Sequence, residues 1–150
     1  MSPSFIHLFM NIVPITQNNF SSALNLLKKN QLPTEDVSDR TKLFVLEDDQ
    51  KITGTIAIEY SGTEGLLRSL SVDESKRNNG YGKILVSFIE KFASEQGVKN
   101  LYLLTTTAVS FFAGKSYIKV ERNSVPDFIQ KSSEFSSVCP SSAVVMKKTL

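Results

Sequence analysis

Between a predicted strand and a predicted helix lies a loop whose residue types suit the binding of an anion. It reads Arg77-Asn78-Asn79-Gly80-Tyr81-Gly82-Lys83, and an amphipathic stretch follows from Ile84. The first four amides of a helix have no hydrogen-bond partner inside it, and they lie at the positive end of the helix dipole. Glycine lets a ligand approach the backbone closely, and Arg77 and Lys83 add positive charge. The pattern therefore predicts an anion site, most naturally for a phosphate group.

Two other phosphate-binding loops do not fit this segment. A Walker loop requires Gly-Lys-Ser/Thr after a glycine at fixed spacing, whereas Gly82-Lys83 is followed by Ile84. A dinucleotide-binding fingerprint requires a third glycine, and the residue at that place is Leu85. A tight turn without a ligand is the alternative interpretation of Gly80 and Gly82 taken alone.

Few side chains of the usual catalytic or metal-binding types are present. The single histidine, His7, lies near the N-terminus, and the single cysteine, Cys139, cannot form an internal disulfide or a zinc site by itself. No metal site is expected, and Cys139 is expected to be a small buried residue. A general base would therefore have to be a carboxylate or a water that a carboxylate polarises.

The chain has 150 residues, of which 41% are hydrophobic and 21% are charged. This size and composition predict one globular domain over residues 10–150, after a loosely ordered extension over residues 1–9. With 17 basic and 15 acidic residues, the charge is too balanced for a dedicated nucleic-acid binder. No apolar run approaches the roughly 18 residues that span a bilayer, and no signal peptide is recognisable. We therefore expect a cytoplasmic protein without membrane association.

The hydrophobic pattern predicts the order β-α-α-β-β-β-α-β-α-β-(α)-β, which is a mixed α/β sheet with helices. The predicted strands cover residues 11–15, 43–46, 52–60, 66–72, 101–104, 117–121 and 143–148. The predicted helices cover residues 20–30, 84–96 and 108–115, with a short helix or turn over residues 32–39 and a helical turn over residues 125–131. Pro14 favours an edge position for the first strand. The last strand is predicted to offer a free edge for pairing or exchange with another copy.

Two strand patterns predict the direction of side chains. On the strand over residues 52–60, an apolar face alternates with a second face that carries Thr53, Thr55 and Glu59. On the strand over residues 66–72, Arg68 is expected to share a face with Leu70 and Val72. An arginine among apolar residues is usually paired or in contact with an anion. Arg68 is therefore either a substrate ligand or the partner of Glu59 or Glu134.

The spacing Arg77-x-x-Gly80-x-Gly82, after a strand and before a helix, resembles the acetyl-CoA loop of the GNAT superfamily of N-acetyltransferases. The predicted element order is also that of the superfamily, so the resemblance covers nearly the whole chain. It implies an α/β (α+β) fold with a single mixed, mostly antiparallel sheet flanked by helices. It further implies that the central strands splay apart around the arm of acetyl-CoA, the co-substrate.

The resemblance also implies which residues bind acetyl-CoA. The loop amides would hold the pyrophosphate, and the strand before them would bond to the pantetheine through its backbone. The residues expected to bind the co-substrate are Leu70, Ser71, Val72, Arg77, Asn78, Asn79, Gly80, Tyr81, Gly82, Lys83, Thr107 and Phe111.

Four segments are similar to the arsenic-resistance branch of the superfamily. They read Leu32-Pro-Thr-Glu-Asp36, Leu66-Leu-Arg-Ser-Leu70, Leu103-Leu-Thr-Thr-Thr-Ala108-x-x-Phe-Phe112 and Glu134-Phe-Ser-Ser-x-Cys-Pro-x-Ser142. That branch is related in role to acetyltransferases of arsinothricin and phosphinothricin, which are amino-acid antibiotics inactivated by N-acetylation. The similarity therefore implies an amine of a small molecule as the acetyl acceptor.

Acetyl transfer requires a base for the attacking amine and stabilisation of the leaving thiolate. Glu59 is the expected base, because the superfamily often places a glutamate here; a solvated strand-end carboxylate is the alternative. The superfamily's usual acid, a tyrosine after a phenylalanine, is replaced by Phe112. The thiolate would then leave unprotonated, held by a backbone amide or by Thr107. Tyr117 lies where the family has a packing aromatic, and packing is expected for it.

The expected function is acetylation of a small-molecule amine, with two alternatives. The residues expected to bind the substrate are Arg68, Thr105, Thr106, Ser136 and Ser137, and ordinary loop use is the alternative for the four hydroxyl residues. A protein or peptide N-acetyltransferase is the first alternative. Such an enzyme would need an acidic groove for the peptide, which residues such as Glu35 and Asp36 could supply. A non-catalytic acetyl-CoA-binding module is the second, because the phenol is missing. The resemblance also allows a homodimer.

Overall fold

The computed structural model describes residues 10–30, 32, 41–49, 51–131 and 143–150. Among these residues the chain forms seven strands and four helices. Their bounds are β1 (Met10–Pro14), α1 (Phe20–Lys29), β2 (Lys42–Asp48), β3 (Lys51–Ser61), β4 (Glu64–Val72), α2 (Tyr81–Glu95), β5 (Asn100–Thr105), α3 (Val109–Ala113), β6 (Ile118–Lys119), α4 (Asp127–Gln130) and β7 (Val144–Thr149). This order confirms the predicted sequence of elements for the described residues. The extension over residues 1–9, residues 33–39 of the helix or turn predicted over residues 32–39, Glu134, Ser136, Ser137 and Cys139 lie outside the described residues.

The strands form one mixed sheet in the order β1-β2-β3-β4-β5-β7-β6. β1 pairs with β2, and β7 pairs with both β5 and β6, in antiparallel fashion, whereas β4 and β5 run parallel. Pro14 lies on an edge strand, as predicted. The prediction that the last strand has a free edge is wrong, because β7 is paired on both sides. Asn100 of β5 lies opposite Thr149 of β7, and Ile118 of β6 lies opposite Lys147 of β7.

The two longer helices bury one face each, as their apolar periodicity predicts. α1 buries Ala23, Leu26 and Leu27, while Phe20 from the predicted stripe is 36% exposed. α2 buries a row that comprises Leu85, Val86, Ile89 and Ala93. The chain leaves α2 at Gly97, whose φ of 90° is left-handed, so this glycine ends the helix as predicted.

Contacts group the chain into two compact units, each with its own apolar core. The first contains residues up to Ala57 together with Ser69–Ile89, and its core includes Leu43 and Val45. The second contains Ile58–Arg68 together with Glu90–Leu150 and is built around side chains such as Tyr102 and Ile129. β3, β4 and α2 each contribute residues to both units. The single domain over residues 10–150 stays a prediction.

The middle of β3 is buried on both faces, although its sequence alternates in polarity. Thr53 and Thr55 are 2% and 0% exposed. Buried hydroxyls require hydrogen-bond partners, and Thr53 donates to the carbonyl of Leu46 at 3.3 Å while Thr55 donates to that of Ser69 at 2.7 Å. Each threonine hydroxyl thus finds a carbonyl partner on a neighbouring strand. These hydrogen bonds allow the two polar side chains to be buried.

β4 contains a residue in the left-handed conformation. Ser69 has a φ of 60°, which is uncommon for a residue other than glycine and is typical of β-bulges. Ser69 is only 8% exposed, and its carbonyl accepts the hydrogen bond from Thr55. The regular alternation that placed Arg68, Leu70 and Val72 on one face is therefore interrupted at Ser69.

The first residue of α2 anchors this helix to the end of β2. The ring of Tyr81 is buried, and its hydroxyl donates to Oδ2 of Asp48 at 2.6 Å. Lys76 places its Nζ 3.8 Å from the same oxygen. Burial, followed by the hydrogen bond and the charge of Asp48, raises the pKa of Tyr81 to about 12. Tyr81 therefore fixes where α2 begins.

Substitutions at Ser69 should separate backbone conformation from side-chain packing. A β-branched residue in the left-handed region costs about 1–3 kcal/mol, so we expect Ser69→Val to lower the free energy of unfolding by that amount. Ser69→Gly should stay within about 1 kcal/mol of the wild type, since glycine adopts this φ without steric cost. Urea denaturation measures both values. Equal stability of the two variants would contradict the conformation assigned to Ser69.

The pH dependence of stability should carry the signature of Tyr81. Because its pKa is raised from 10.0 to about 12 on folding, its contribution is fully present below pH 10 and is lost as the pH rises through 12. The difference in unfolding free energy between wild type and Tyr81→Phe should therefore be constant below about pH 9 and shrink between about pH 10 and 12. Chemical denaturation at a series of pH values checks this expectation. A difference that stays flat to pH 12 would count against it.

Candidate functional site

The loop between β4 and α2 has a backbone conformation that prepares the start of the helix. A single 3-10 turn over Glu74–Lys76 is followed by Asn78 and Gly80, whose φ values of 67° and 81° are both left-handed. A Cβ at Gly80 would meet no atom within 4 Å, so its φ, and not lack of space, favours glycine there. The carbonyl of Gly80 accepts the first bond of the helix, from the amide of Ile84 at 3.1 Å.

The amides at this helix start are available to a ligand. Those of residues 80–83 donate no hydrogen bond to any other described residue. Gly80 and Lys83 are exposed, and Gly82 is half-buried. The helix dipole places partial positive charge at the same point. The start of α2 thus has the geometry that anion-binding helix ends share, and the binding of an anion here stays a prediction.

Arg77 is held by Asn30, which directly follows α1, and by the end of β4. Its Nε donates to the carbonyl of Val72 at 3.3 Å, and its Nη2 donates to Oδ1 of Asn30. Asn30 in turn donates through Nδ2 to Oγ of Ser71 and to the carbonyl of Val72, the latter at 3.2 Å. The guanidinium is therefore oriented by the protein before any anion arrives.

These contacts bear on the backbone that was expected to bind pantetheine. The carbonyl of Val72 already accepts two hydrogen bonds, one each from Arg77 and Asn30, which fills its usual capacity. The hydroxyl of Ser71 also accepts a bond from Asn30. The carbonyl of Val72 is therefore a poor candidate for that role, and the backbone contacts of Leu70 and Ser71 with pantetheine stay a prediction.

The parallel pairing of β4 with β5 stops well before either strand ends. It runs from Glu64 opposite Asn100 to Leu66 opposite Tyr102. Both strands continue, β4 to Val72 and β5 to Thr105. The splay of the central strands stays a prediction.

Two residues of the predicted site form an ion pair in the second unit. Nη1 of Arg68 lies 3.0 Å from Oε1 of Glu59, and their side chains are 1% and 16% exposed. Of the alternatives for Arg68, the structure therefore contains the pair with Glu59. The charge of so buried an arginine depends on its carboxylate partner, because removing one member of such a pair leaves the other uncompensated.

Thr105, at the end of β5, and the two threonines that follow it differ in their contacts and exposure. Oγ1 of Thr105 accepts a bond from the amide of Ala108 at 2.9 Å, so it stabilises the turn before α3. Thr106 and Thr107 are exposed. Phe111, which was expected to contact the co-substrate, is half-buried with its ring centroid 5.0 Å from that of Phe112.

Tyr117 belongs to a buried cluster of packing and polar contacts. Its ring is 2% exposed and lies 5.5 Å from that of Phe112, centroid to centroid. Its hydroxyl donates to Oε2 of Glu90 at 2.9 Å, and Nζ of Lys148 donates to the same oxygen at 3.0 Å. Burial, with the charge and hydrogen bond of Glu90, raises the pKa of Tyr117 far above its usual value. These contacts agree with the packing role expected for it.

Sequence patterns did not identify Asn30 or Asp48 as parts of this site. The contact of Asn30 with Arg77 joins residues 47 positions apart, and that of Asp48 with Tyr81 joins residues 33 apart. Asn30 was recognisable only as the residue that ends a helix, which gives no signal about its distant partners. No group of three or more potential metal ligands occurs within the described ranges. Nor do those ranges contain a helix long and apolar enough to cross a membrane.

Known proteins resemble this chain in sequence and in fold. A Chlorobaculum tepidum protein named as an uncharacterized N-acetyltransferase is 34% identical over 87 residues, or 57% of this chain and 56% of the relative. N-acetylglutamate synthase from Neisseria gonorrhoeae, solved with coenzyme A and N-acetyl-glutamate, matches with a TM-score of 0.80 at 19% identity over 95% of this chain and 35% of its own. The ribosomal-protein-S18-alanine N-acetyltransferase from Escherichia coli matches with a TM-score of 0.73 at 16% identity over 93% of each chain.

These comparisons differ in how much of each protein they cover and in whether they support the fold or the family. The match spans about half the length of the curated relative and about a third of the synthase. At identities of 16% and 19%, the two solved structures support the fold alone. The family model for acetyltransferases (GNAT) covers residues 12–115, which include the anion-binding loop and both members of the ion pair. Since that is most of the sequence, this chain belongs to the acetyltransferase (GNAT) family.

Proposed function

We propose that this protein is an N-acetyltransferase that moves the acetyl group of acetyl-CoA to the amine of a small molecule. The observation that carries the proposal is the start of α2, where the amides of residues 80–83 have no partner among the described residues and Gly80 and Lys83 are exposed. Such a helix start suits the pyrophosphate of a CoA thioester. Because the chain belongs to the acetyltransferase (GNAT) family, the anion that we expect at this helix start is the pyrophosphate of acetyl-CoA.

The loop residues and the end of β4 would bind the co-substrate. In this proposal the amides of residues 78–83 hold the pyrophosphate, and the backbone of residues 70–72 bonds to the pantetheine. Thr107, which is exposed, and Phe111, which is half-buried, stay contacts that only the resemblance implies. The synthase that matches this fold was solved with coenzyme A, which supports the same co-substrate for this chain.

The chemistry needs a base, for which we propose Glu59. The amine nitrogen attacks the thioester carbonyl, and its proton passes to the carboxylate of Glu59 directly or through a water. Collapse of the tetrahedral intermediate breaks the carbon–sulfur bond and releases the CoA thiolate. Arg68, at 3.0 Å from Glu59, fixes the position of that carboxylate. The thiolate leaves without a phenol donor, because Phe112 stands where the family usually has tyrosine.

For the acceptor, we propose an amino acid or an amino-acid antibiotic of the arsinothricin and phosphinothricin type. The similarity of four segments to the arsenic-resistance branch supports this class, as does the N-acetyl-glutamate bound in the matching synthase. Thr106 is exposed and could bind an acceptor anion, whereas the burial of Arg68 makes it a poor direct ligand. The lone cysteine suits the reducing cytoplasm in which such an enzyme would act.

The co-substrate assignment predicts the effect of a charge in the loop. Gly82→Asp places a carboxylate at the helix start, so we expect the affinity for CoA to fall at least tenfold, because about 1.5–3 kcal/mol per charge-assisted bond is at stake. Ser94→Asp adds the same charge at an exposed position in the last turn of α2 and should leave the affinity within about twofold. Titration calorimetry measures both. Unchanged CoA affinity in a folded Gly82→Asp protein would reject the assignment.

The role of Glu59 requires turnover and stability to be measured together. Glu59→Gln should lower turnover about 10²–10⁴-fold with CoA affinity retained. It should also reduce the free energy of unfolding by on the order of 3 kcal/mol, because buried Arg68 loses the negative charge of Glu59. Assays of thiol release and chemical denaturation give the two quantities.

A double variant distinguishes a base from a merely structural carboxylate. Glu59→Gln with Arg68→Met removes both charges, so it should recover stability, since a buried pair can be replaced by neutral side chains at little cost. If Glu59 is the base, turnover stays low in this variant. If turnover returns together with stability, Glu59 is structural. A folded wild type that binds acetyl-CoA but acetylates neither amino acids nor peptides would instead be a non-catalytic binding module.

A further inference from the structure

We propose that Asn30 is a positioning residue for the co-substrate loop and that it acts through Arg77. The proposal rests on the proposed function, because it assigns Asn30 a part in binding the pyrophosphate of acetyl-CoA. Asn30 ends α1 and lies 47 positions before Arg77 in the sequence, yet their side chains share a hydrogen bond.

The contacts of Asn30 use both ends of its side-chain amide. Its Oδ1 accepts from Nη2 of Arg77, and its Nδ2 donates to Oγ of Ser71 and, at 3.2 Å, to the carbonyl of Val72. Nε of Arg77 donates to that same carbonyl at 3.3 Å. Asn30, Arg77 and Val72 therefore form a closed ring of hydrogen bonds at the point where β4 passes into the loop.

The chemistry of this ring explains why the residue is an asparagine. A carboxylate would accept from Arg77 but could not donate to the carbonyl of Val72, and an aliphatic side chain could do neither. The backbone amide of Asn30 is itself fixed, since it donates to the carbonyl of Leu26 at 3.1 Å. The C-terminal end of a helix also attracts a cation, which favours the guanidinium of Arg77 at the end of α1.

Arg77 is the fixed point from which the loop starts. Its carbonyl accepts a bond from Nδ2 of Asn79 at 3.2 Å, so both its backbone and its side chain are held. A guanidinium has five N–H donors in one plane, and two of its nitrogens already donate to Asn30 and Val72. Their geometry sets the plane of the guanidinium, and donors that remain can meet a phosphate oxygen without further ordering.

The test compares Asn30→Leu with Asn30→Asp, using acetyl-CoA and S-acetyl-pantetheine as alternative donors. Asn30→Leu removes every contact that Asn30 makes in the ring, and we expect the KM for acetyl-CoA and the Kd for CoA to rise about tenfold, with kcat within threefold of the wild type. The KM for S-acetyl-pantetheine, which lacks the pyrophosphate, should change less than twofold. Asn30→Asp keeps the acceptor for Arg77 and should recover the acetyl-CoA values to within about threefold.

Lys29→Met is the matched control at the same helix end. It breaks the exposed ion pair of Lys29 with Asp73, at 3.7 Å, and leaves the ring intact, so both donors should keep their KM values to within about twofold. If Asn30→Leu raises the KM of both donors equally, or leaves both unchanged, the positioning role is rejected. Should Asn30→Leu fail to fold, the same comparison of donors in Asn30→Ala, which also removes both ends of the side-chain amide, decides. A wild type that binds no CoA would instead overturn the proposed function itself.

Discussion

The start of α2 needs a partner that the described chain does not provide. Helix formation leaves the first amides of α2 without acceptors, and Gly80 turns the chain so that they stay exposed. Several contacts of the first unit serve to hold this point in place. Tyr81 ties the helix to β2 through Asp48, and Asn30 ties the preceding loop to β4 through Arg77. Without these contacts the amides would have to be ordered at the expense of binding free energy.

The ion pair between Glu59 and Arg68 imposes a second constraint, within the other unit. A buried arginine requires a carboxylate, and a carboxylate that serves as a base must be held in position. If Glu59 is the base that we propose, its contact of 3.0 Å with Arg68 also holds the carboxylate in position. Any single substitution at Glu59 would then change both turnover and stability.

Local patterns predicted much of the fold, and distant contacts determined the rest. Apolar periodicity gave the order of strands and helices, and the glycine spacing located the anion-binding loop, because both depend on neighbouring residues. The left-handed φ of Ser69 and the burial of both faces of β3 depend on packing across the sheet. The interior position of β7 is set by strands far away in sequence. Asn30 escaped notice for the same reason, since its role exists only where α1 meets β4.

Amide-resolved NMR on the loop tests the central claim most directly. If the start of α2 binds the pyrophosphate of acetyl-CoA, addition of CoA should shift the amide resonances of Gly80, Tyr81, Gly82 and Lys83 and slow their exchange with solvent. Amides in the middle of α2 should change little. Unaltered resonances and exchange rates at these four amides, in a sample that calorimetry shows to be saturated with CoA, would contradict the account.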